Sequence, residues 1–211
     1  MQLEQVEKEL KKRLTYPYQW GQKQNDHYDK LTKFIYKIFY WEELIDRLKS
    51  DFEKVENFND FFHYSINRWY NFQSANAVEH LFANSRLVKP NKDKYDKLVD
   101  FSINSISFDH KTSVFPKGFN HELSYALNNK KHLVYWFYKN QSSQGRQHFG
   151  NRIFLVLFNT KNNNHWHLKS ELSWLKIIID DYLKNFNEEN LLTLNFKENP
   201  GAVSDIIWGV K

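Results

Sequence analysis

Apolar residues recur every three or four positions through the first third of the chain, which is the spacing of amphipathic helices. The pattern predicts four helices, and Ser74 is placed to act as the N-cap of the last one. These predicted helices cover residues 3–14, 26–49, 60–70 and 74–84. The first part of the chain, residues 1–73, is therefore predicted to be a helical extension packed on a core formed by residues 74–211.

The period of the pattern changes to two after a polar, proline-containing loop at residues 89–94. Two alternating segments predict strands, and two nearly continuous apolar runs predict central strands of a sheet. Including two weaker signals, the predicted strands cover residues 97–103, 106–112, 132–139, 152–159, 191–196 and 205–210. Helices are predicted over residues 119–128 and 171–186, a loop over residues 140–150, and a turn at residues 199–201. The expected fold class is α/β, with a mixed central sheet preceded by the helical extension.

The charge of the chain is concentrated in its middle. Residues 86–161 hold thirteen Lys or Arg against five Asp or Glu, whereas the net charge of the whole chain is +5. A concentrated positive field suits a phosphate backbone, although a solvated lysine-rich surface explains the same numbers. The chain has no cysteine, which excludes disulfides and thiolate metal sites. No apolar run has membrane-spanning length and no secretory signal is visible, so we expect a cytoplasmic protein without a membrane partner.

The segment from Leu98 to Lys111 carries the candidate chemistry. If Asn104 and Ser105 form a two-residue hairpin loop, paired residue numbers sum to 209 and Asp100 faces Asp109. Side chains alternate along a strand, so both aspartates and Lys111 share one face, and the opposite face is apolar.

Two carboxylates opposite each other across a hairpin are roughly 4.5–5.5 Å apart at Cβ and repel. A divalent cation would compensate this repulsion, and Mg²⁺ prefers oxygen ligands. Lys111 would orient a water molecule or stabilise charge that builds on a phosphate. A charged face turned to solvent remains the alternative to a metal site. Asp96 is an alternative to Asp100 as the first aspartate, because alternation places it on the same face.

The stretch from about Ser74 to Thr160 resembles the PD-(D/E)xK nuclease superfamily, which has the restriction-endonuclease-like fold. Asp100 matches the first aspartate of that family, Asp109-His110-Lys111 matches its acidic-x-Lys triplet, and Glu79 matches its helical glutamate. The resemblance implies an αβββαβ core and Mg²⁺ bound by Asp100, Asp109 and Glu79, with Mn²⁺ as a substitute. Glu79 also fits the polar side of an amphipathic helix, and residues 119–128 are an insertion in the family's usual connection.

Other residues are candidates for contacts with nucleic acid. Arg and Gln read base edges with paired hydrogen bonds, and Lys pairs with phosphates, although an ordinary flexible loop or solvated lysines explain the same residues. The candidates are Lys89, Lys92, Lys94, Gln144, Arg146 and Arg152.

The sequence thus leads us to expect a Mg²⁺-dependent endonuclease of restriction type that acts on DNA, with RNA not excluded as a substrate. A homodimer that cuts two strands is expected by analogy with restriction enzymes. The alternatives are an inactive nucleic-acid-binding module of the same fold and a protein-interaction domain that uses the helical first third.

Overall fold

A computed structural model describes residues 2–20, 26–93, 96, 98–140 and 148–211 of the chain. Contacts divide the described residues into two compact units. One unit comprises the residues up to Ala77 together with Ser170–Ser173, and the other comprises Val78–Lys169 and Trp174–Lys211. None of the described helices combines the length and the hydropathy that crossing a bilayer requires.

The first unit is helical. Its elements are α1 (Leu3–Lys12), α2 (Asp26–Leu31), α3 (Trp41–Phe52) and most of α4 (Phe58–Ala83), with short 3₁₀ turns at Arg13–Thr15 and Lys33–Lys37. The predicted helices over residues 60–70 and 74–84 are a single helix, because buried residues continue through both segments without a break.

The predicted helix over residues 26–49 is wrong as one element. The backbone is extended at Ile38 and Tyr40, and α3 begins only after that break. Trp69 Nε1 and Gln73 Nε2 both donate to the carbonyl oxygen of Ile38, at 2.9 and 2.7 Å, which takes this acceptor away from a helical hydrogen bond. The carboxylate of Glu9 accepts from the backbone N–H of Trp41 at 2.8 Å, so tertiary contacts start α3 at this residue.

The second unit is built on a six-stranded mixed sheet with the order β1-β2-β3-β4-β6-β5. β1, β2 and β3 are antiparallel neighbours, β3, β4 and β6 run parallel, and β5 is antiparallel to β6. The strands are β1 (Val88–Pro90), β2 (Phe101–Ile103), β3 (Ile106–Val114), β4 (Arg152–Phe158), β5 (Leu192–Asn195) and β6 (Pro200–Val210). The remaining helices are α5 (Leu123–Asn128), α6 (Lys130–Lys139) and α7 (Leu172–Lys184), with 3₁₀ turns at His165–Ser170 and Glu188–Asn190.

The predicted register of the β2–β3 hairpin is confirmed. Phe101 pairs with Phe108 and Ile103 with Ile106, so the pair numbers sum to 209 as expected. Asn104 and Ser105 form the two-residue loop with φ of 48° and 70°, the left-handed conformation that such a turn requires. β2 is shorter than expected, because it begins at Phe101 rather than at residue 97.

The predicted strand over residues 132–139 is wrong, since this segment is helix α6. A short apolar run does not distinguish a strand from a buried helix, and the buried residues Leu133, Val134, Phe137 and Tyr138 have helical spacing. Helices α5 and α6 form the crossover from β3 to β4, which a parallel pair needs.

The segment expected to be a loop at residues 89–94 begins inside the short strand β1. Leaving out α5, the elements from α4 to β4 therefore run α, β, β, β, α, β.

Candidate functional site

Asp100 lies at the open end of the hairpin, immediately before β2. Its backbone N–H donates to the carbonyl oxygen of Phe108 at 2.9 Å, and the N–H of His110 donates to its Oδ2 at 2.7 Å. The carboxylate is thereby held against β3. Partial burial raises the pKa of Asp100, the hydrogen bond from His110 opposes this rise, and the neighbouring charge of Asp109 adds to it.

Asp109 is buried in β3, with 7% of its surface exposed. The parallel register between β3 and β4 pairs it with Arg152, and Arg152 Nε lies 2.5 Å from Asp109 Oδ2. His148 Nδ1 lies 3.6 Å from the same oxygen and 2.8 Å from Arg152 Nη2. The N–H of Asp109 donates to the carbonyl oxygen of Asn151 at 3.0 Å, so residues at and before the start of β4 orient this carboxylate.

Arg152, a candidate from the sequence for contact with nucleic acid, is paired with Asp109 in the structure. It is 3% exposed, and its guanidinium lies over the ring of Tyr138, 5.4 Å from the centroid. The sequence did not indicate the ion pair of Arg152 with Asp109, because the two residues are 43 positions apart and only the strand register brings them together. Gln144, Arg146 and Lys94 lie outside the described residues. Lys89, in β1, and Lys92, in the loop that follows, are exposed to solvent.

Glu79, near the end of α4, interacts with both aspartates. Its pKa is raised because protein atoms surround its carboxyl group and because Asp100 and Asp109 carry like charge, although the residue as a whole stays exposed. Lys111 acts in the opposite direction and lowers the pKa of Glu79 and of Asp100. The ammonium group of Lys111 is therefore within electrostatic range of these two carboxyl groups, and its side chain is exposed on β3.

His110, between Asp109 and Lys111, points to the opposite face of the sheet. Its ring lies 5.2 Å from that of Phe82, and Nε2 is 3.0 Å from Thr112 Oγ1. Burial, with a smaller contribution from Lys111, lowers the pKa of His110 to about 3, so the ring is neutral at physiological pH. The middle residue of the triplet is thus a core residue.

A pocket of about 390 Å³ opens beside Asp100. Its lining includes four acidic residues, namely Glu79, Asp93, Asp96 and Asp100. Asp96 accepts from the N–H of Leu98 at 2.8 Å and from Asn91 Nδ2 at 2.9 Å, so it braces the loop between β1 and β2. Asp100 rather than Asp96 interacts with Asp109.

The donor chemistry of this site suits Mg²⁺ or Mn²⁺, because Asp100, Asp109 and Glu79 offer only carboxylate oxygens. One oxygen of Asp100 already accepts from His110, and one oxygen of Asp109 from Arg152. The two carboxyl groups also lie within hydrogen-bonding reach of each other, which raises the pKa of Asp100. Within the described part of the chain, no three His, Asp or Glu side chains are gathered closely enough to count as a formed metal-binding group.

Comparisons with known proteins do not extend this picture, since no protein family, no curated protein and no solved structure matches the chain.

The mutual repulsion of the carboxylates leads to a first prediction. Glu79→Gln is expected to raise the melting temperature of the metal-free protein at pH 7 to 8, because it removes a charge that is partly desolvated and that is repelled by Asp100 and Asp109. A raised pKa of an acid in the folded state lowers stability as pH rises through that pKa. The gain should therefore shrink as pH falls toward 4, where the carboxyl groups take up protons. Melting curves at several pH values in the presence of a chelator measure this effect, and an equal gain at all pH values would contradict it.

Proposed function

We propose that this chain is a Mg²⁺-dependent nuclease that hydrolyses phosphodiester bonds of DNA, with a restriction-endonuclease-like PD-(D/E)xK core. The observation that carries the proposal is the electrostatic interaction of Glu79 and Asp100 with Asp109 and with the exposed Lys111 at the open end of the β2–β3 hairpin. The order α4, β1, β2, β3, α6, β4 is also the αβββαβ order that the sequence resemblance implies.

The roles of the residues follow from their surroundings. Asp100, Asp109 and Glu79 would hold the cation, which supplies charge neutralisation at the phosphate and acidifies a bound water. Lys111 is exposed beside these acids and would bind a phosphate oxygen or orient the attacking water. Arg152 is buried and fixes the orientation of the Asp109 carboxylate through the ion pair at Oδ2.

The surrounding surface would receive the nucleic-acid backbone. Lys89 is exposed in β1, Lys92 is exposed in the loop that lines the acidic pocket, and Lys94 follows in the sequence. Gln144 and Arg146 stay candidates for base contacts from the segment before His148. Positively charged side chains around a carboxylate site would hold phosphates close to the bound cation.

One observation favours a second candidate function, an inactive nucleic-acid-binding module of the same fold. Asp109 is already neutralised by Arg152 at 2.5 Å, which is an arrangement that needs no metal ion. In this case the basic surface would bind nucleic acid and the acidic residues would serve only the fold.

Cleavage and metal-binding assays separate these two functions. We expect the purified protein to nick or cut DNA with Mg²⁺ or Mn²⁺ and to lose this activity in a chelator. We also expect either cation to raise the melting temperature by mass action, whereas Asp100→Asn should reduce this shift. Salt-sensitive binding to DNA without cleavage and without a metal-dependent shift would establish the inactive module instead.

A further inference from the structure

A second pocket, of about 370 Å³, lies between β3, β4 and α6. Lys111 and Arg152 line it, so it adjoins the candidate site. Trp136, Phe137 and Phe154 provide aromatic walls, and Phe137 and Phe154 stack on each other at 4.8 Å. The pocket therefore combines planar apolar walls with a cation at the point where the proposed reaction would occur.

Trp136 belongs to a cluster of aromatic and histidine rings in the segment between β3 and β4, and this cluster is called the ring cluster below. Its centre is Phe119, which is 2% exposed and lies 5.1 to 6.4 Å, between ring centroids, from the four other members. These four are His121, Tyr125, His132 and Trp136. His121 and Tyr125 stack on each other at 4.0 Å, and both are exposed. The exposed members of the ring cluster thus offer ring surfaces to a ligand.

The same segment is strongly basic. From Lys111 to Lys139 the sequence has five lysines and a single acidic residue, Glu122. Lys117 and Lys131 are exposed, and neither forms an ion pair with another residue that the structure describes. Exposed rings interleaved with unpaired lysines match the chemistry of a strand that carries both bases and phosphates.

We propose that the pocket beside Lys111 binds an unpaired nucleobase stacked on Trp136, and that the ring cluster binds neighbouring bases of the same single strand. The inference rests on the proposed function in taking nucleic acid as the ligand, and it specifies a substrate with a single-stranded segment. Bases in a duplex already stack on one another, and only an unpaired or extruded base presents a free face to an indole ring.

Binding measurements in a chelator test this inference without cleavage. A short fluorescein-labelled strand is compared with a duplex of the same sequence, as DNA and as RNA. Trp136→Ala is expected to weaken single-strand binding about 5- to 150-fold, the loss typical for one base–aromatic stack, and to change duplex binding little. Trp136→Phe should retain most of the affinity. Tyr40→Ala is the control, because Tyr40 has an aromatic side chain that is 49% exposed and belongs to the helical first unit, away from the ring cluster in sequence.

A second measurement uses the wild-type protein and does not depend on the folding of a variant. The strand carries the fluorescent base 2-aminopurine, and the fluorescence of this base should be quenched on binding if the base stacks on an indole. Equal affinity for strand and duplex, an unchanged affinity of Trp136→Ala or absence of quenching overturns the inference, and so does failure to bind nucleic acid at all. Trp136-dependent binding to single strands without cleavage in Mg²⁺ would refute the proposed nuclease activity and leave this inference standing.

Discussion

Lys111→Ala is expected to lower the rate of phosphodiester cleavage by about 100-fold or more, the loss typical when one preorganised group that stabilises developing charge is removed. The side chain is exposed, and it has no hydrogen bond or ion pair with the described residues, so the fold should tolerate its removal. Lys111 interacts electrostatically with Asp100 and Glu79, which carry the opposite charge. The loss of cleavage rate would therefore report on the candidate site rather than on the fold. Single-turnover cleavage at saturating protein measures the chemical step apart from binding.

Lys161→Ala is the matched control for this experiment. Lys161 is also exposed, and it follows β4 at the end of that strand opposite to Arg152. The Lys161→Ala substitution removes the same charge from the chain and leaves the surroundings of the carboxylates unchanged, so cleavage should stay near the wild-type rate. Cleavage by Lys111→Ala at a rate similar to that of Lys161→Ala would show that Lys111 has no role in the chemistry.

Arg152→Gln is expected to destabilise the protein by about 3–5 kcal/mol, since it leaves the buried carboxylate of Asp109 without its partner. For a chain of this length the change corresponds to a fall in melting temperature of roughly 6–20 °C. Asp109→Asn should destabilise the protein for the same reason. The double variant should be more stable than the sum of the two single changes implies, because both buried charges are then removed.

Denaturant unfolding of the four proteins in a chelator measures this coupling. The ion pair between Lys176 and Asp180 on the surface of α7 is the control, since both side chains are about half exposed. Lys176→Gln is expected to change stability by no more than about 0.5 kcal/mol. If Arg152→Gln costs no more than this control, the buried ion pair does not hold Asp109 in place.

Several features of the site could be predicted because they depend on neighbours in the sequence. The alternation of polar and apolar residues between Phe101 and Lys111, together with Asn104-Ser105 as the loop, was enough to predict the hairpin register. The same alternation explains why His110 packs into the core whereas Lys111 is exposed. These features follow from the backbone geometry of a strand and a tight turn.

Other features depended on contacts between distant segments. The run over residues 132–139 is apolar enough for a central strand, and only its packing against Phe154 and other buried residues made it a helix. The predicted helix over residues 26–49 is interrupted where Trp69 and Gln73 bind the carbonyl oxygen of Ile38. Propensity is a weak preference, and tertiary hydrogen bonds and packing override it.

The sequence by itself determined that Asp100, Asp109 and Lys111 belong to one hairpin, because alternation and turn geometry operate over a few residues. Tertiary structure alone decided that Arg152 neutralises Asp109 and that Trp136 and Lys111 line the same pocket. Both depend on the parallel register of β3 and β4 and on the helical crossover between them. Such a register is set by how helices and strands pack into a common core, and no local pattern encodes it.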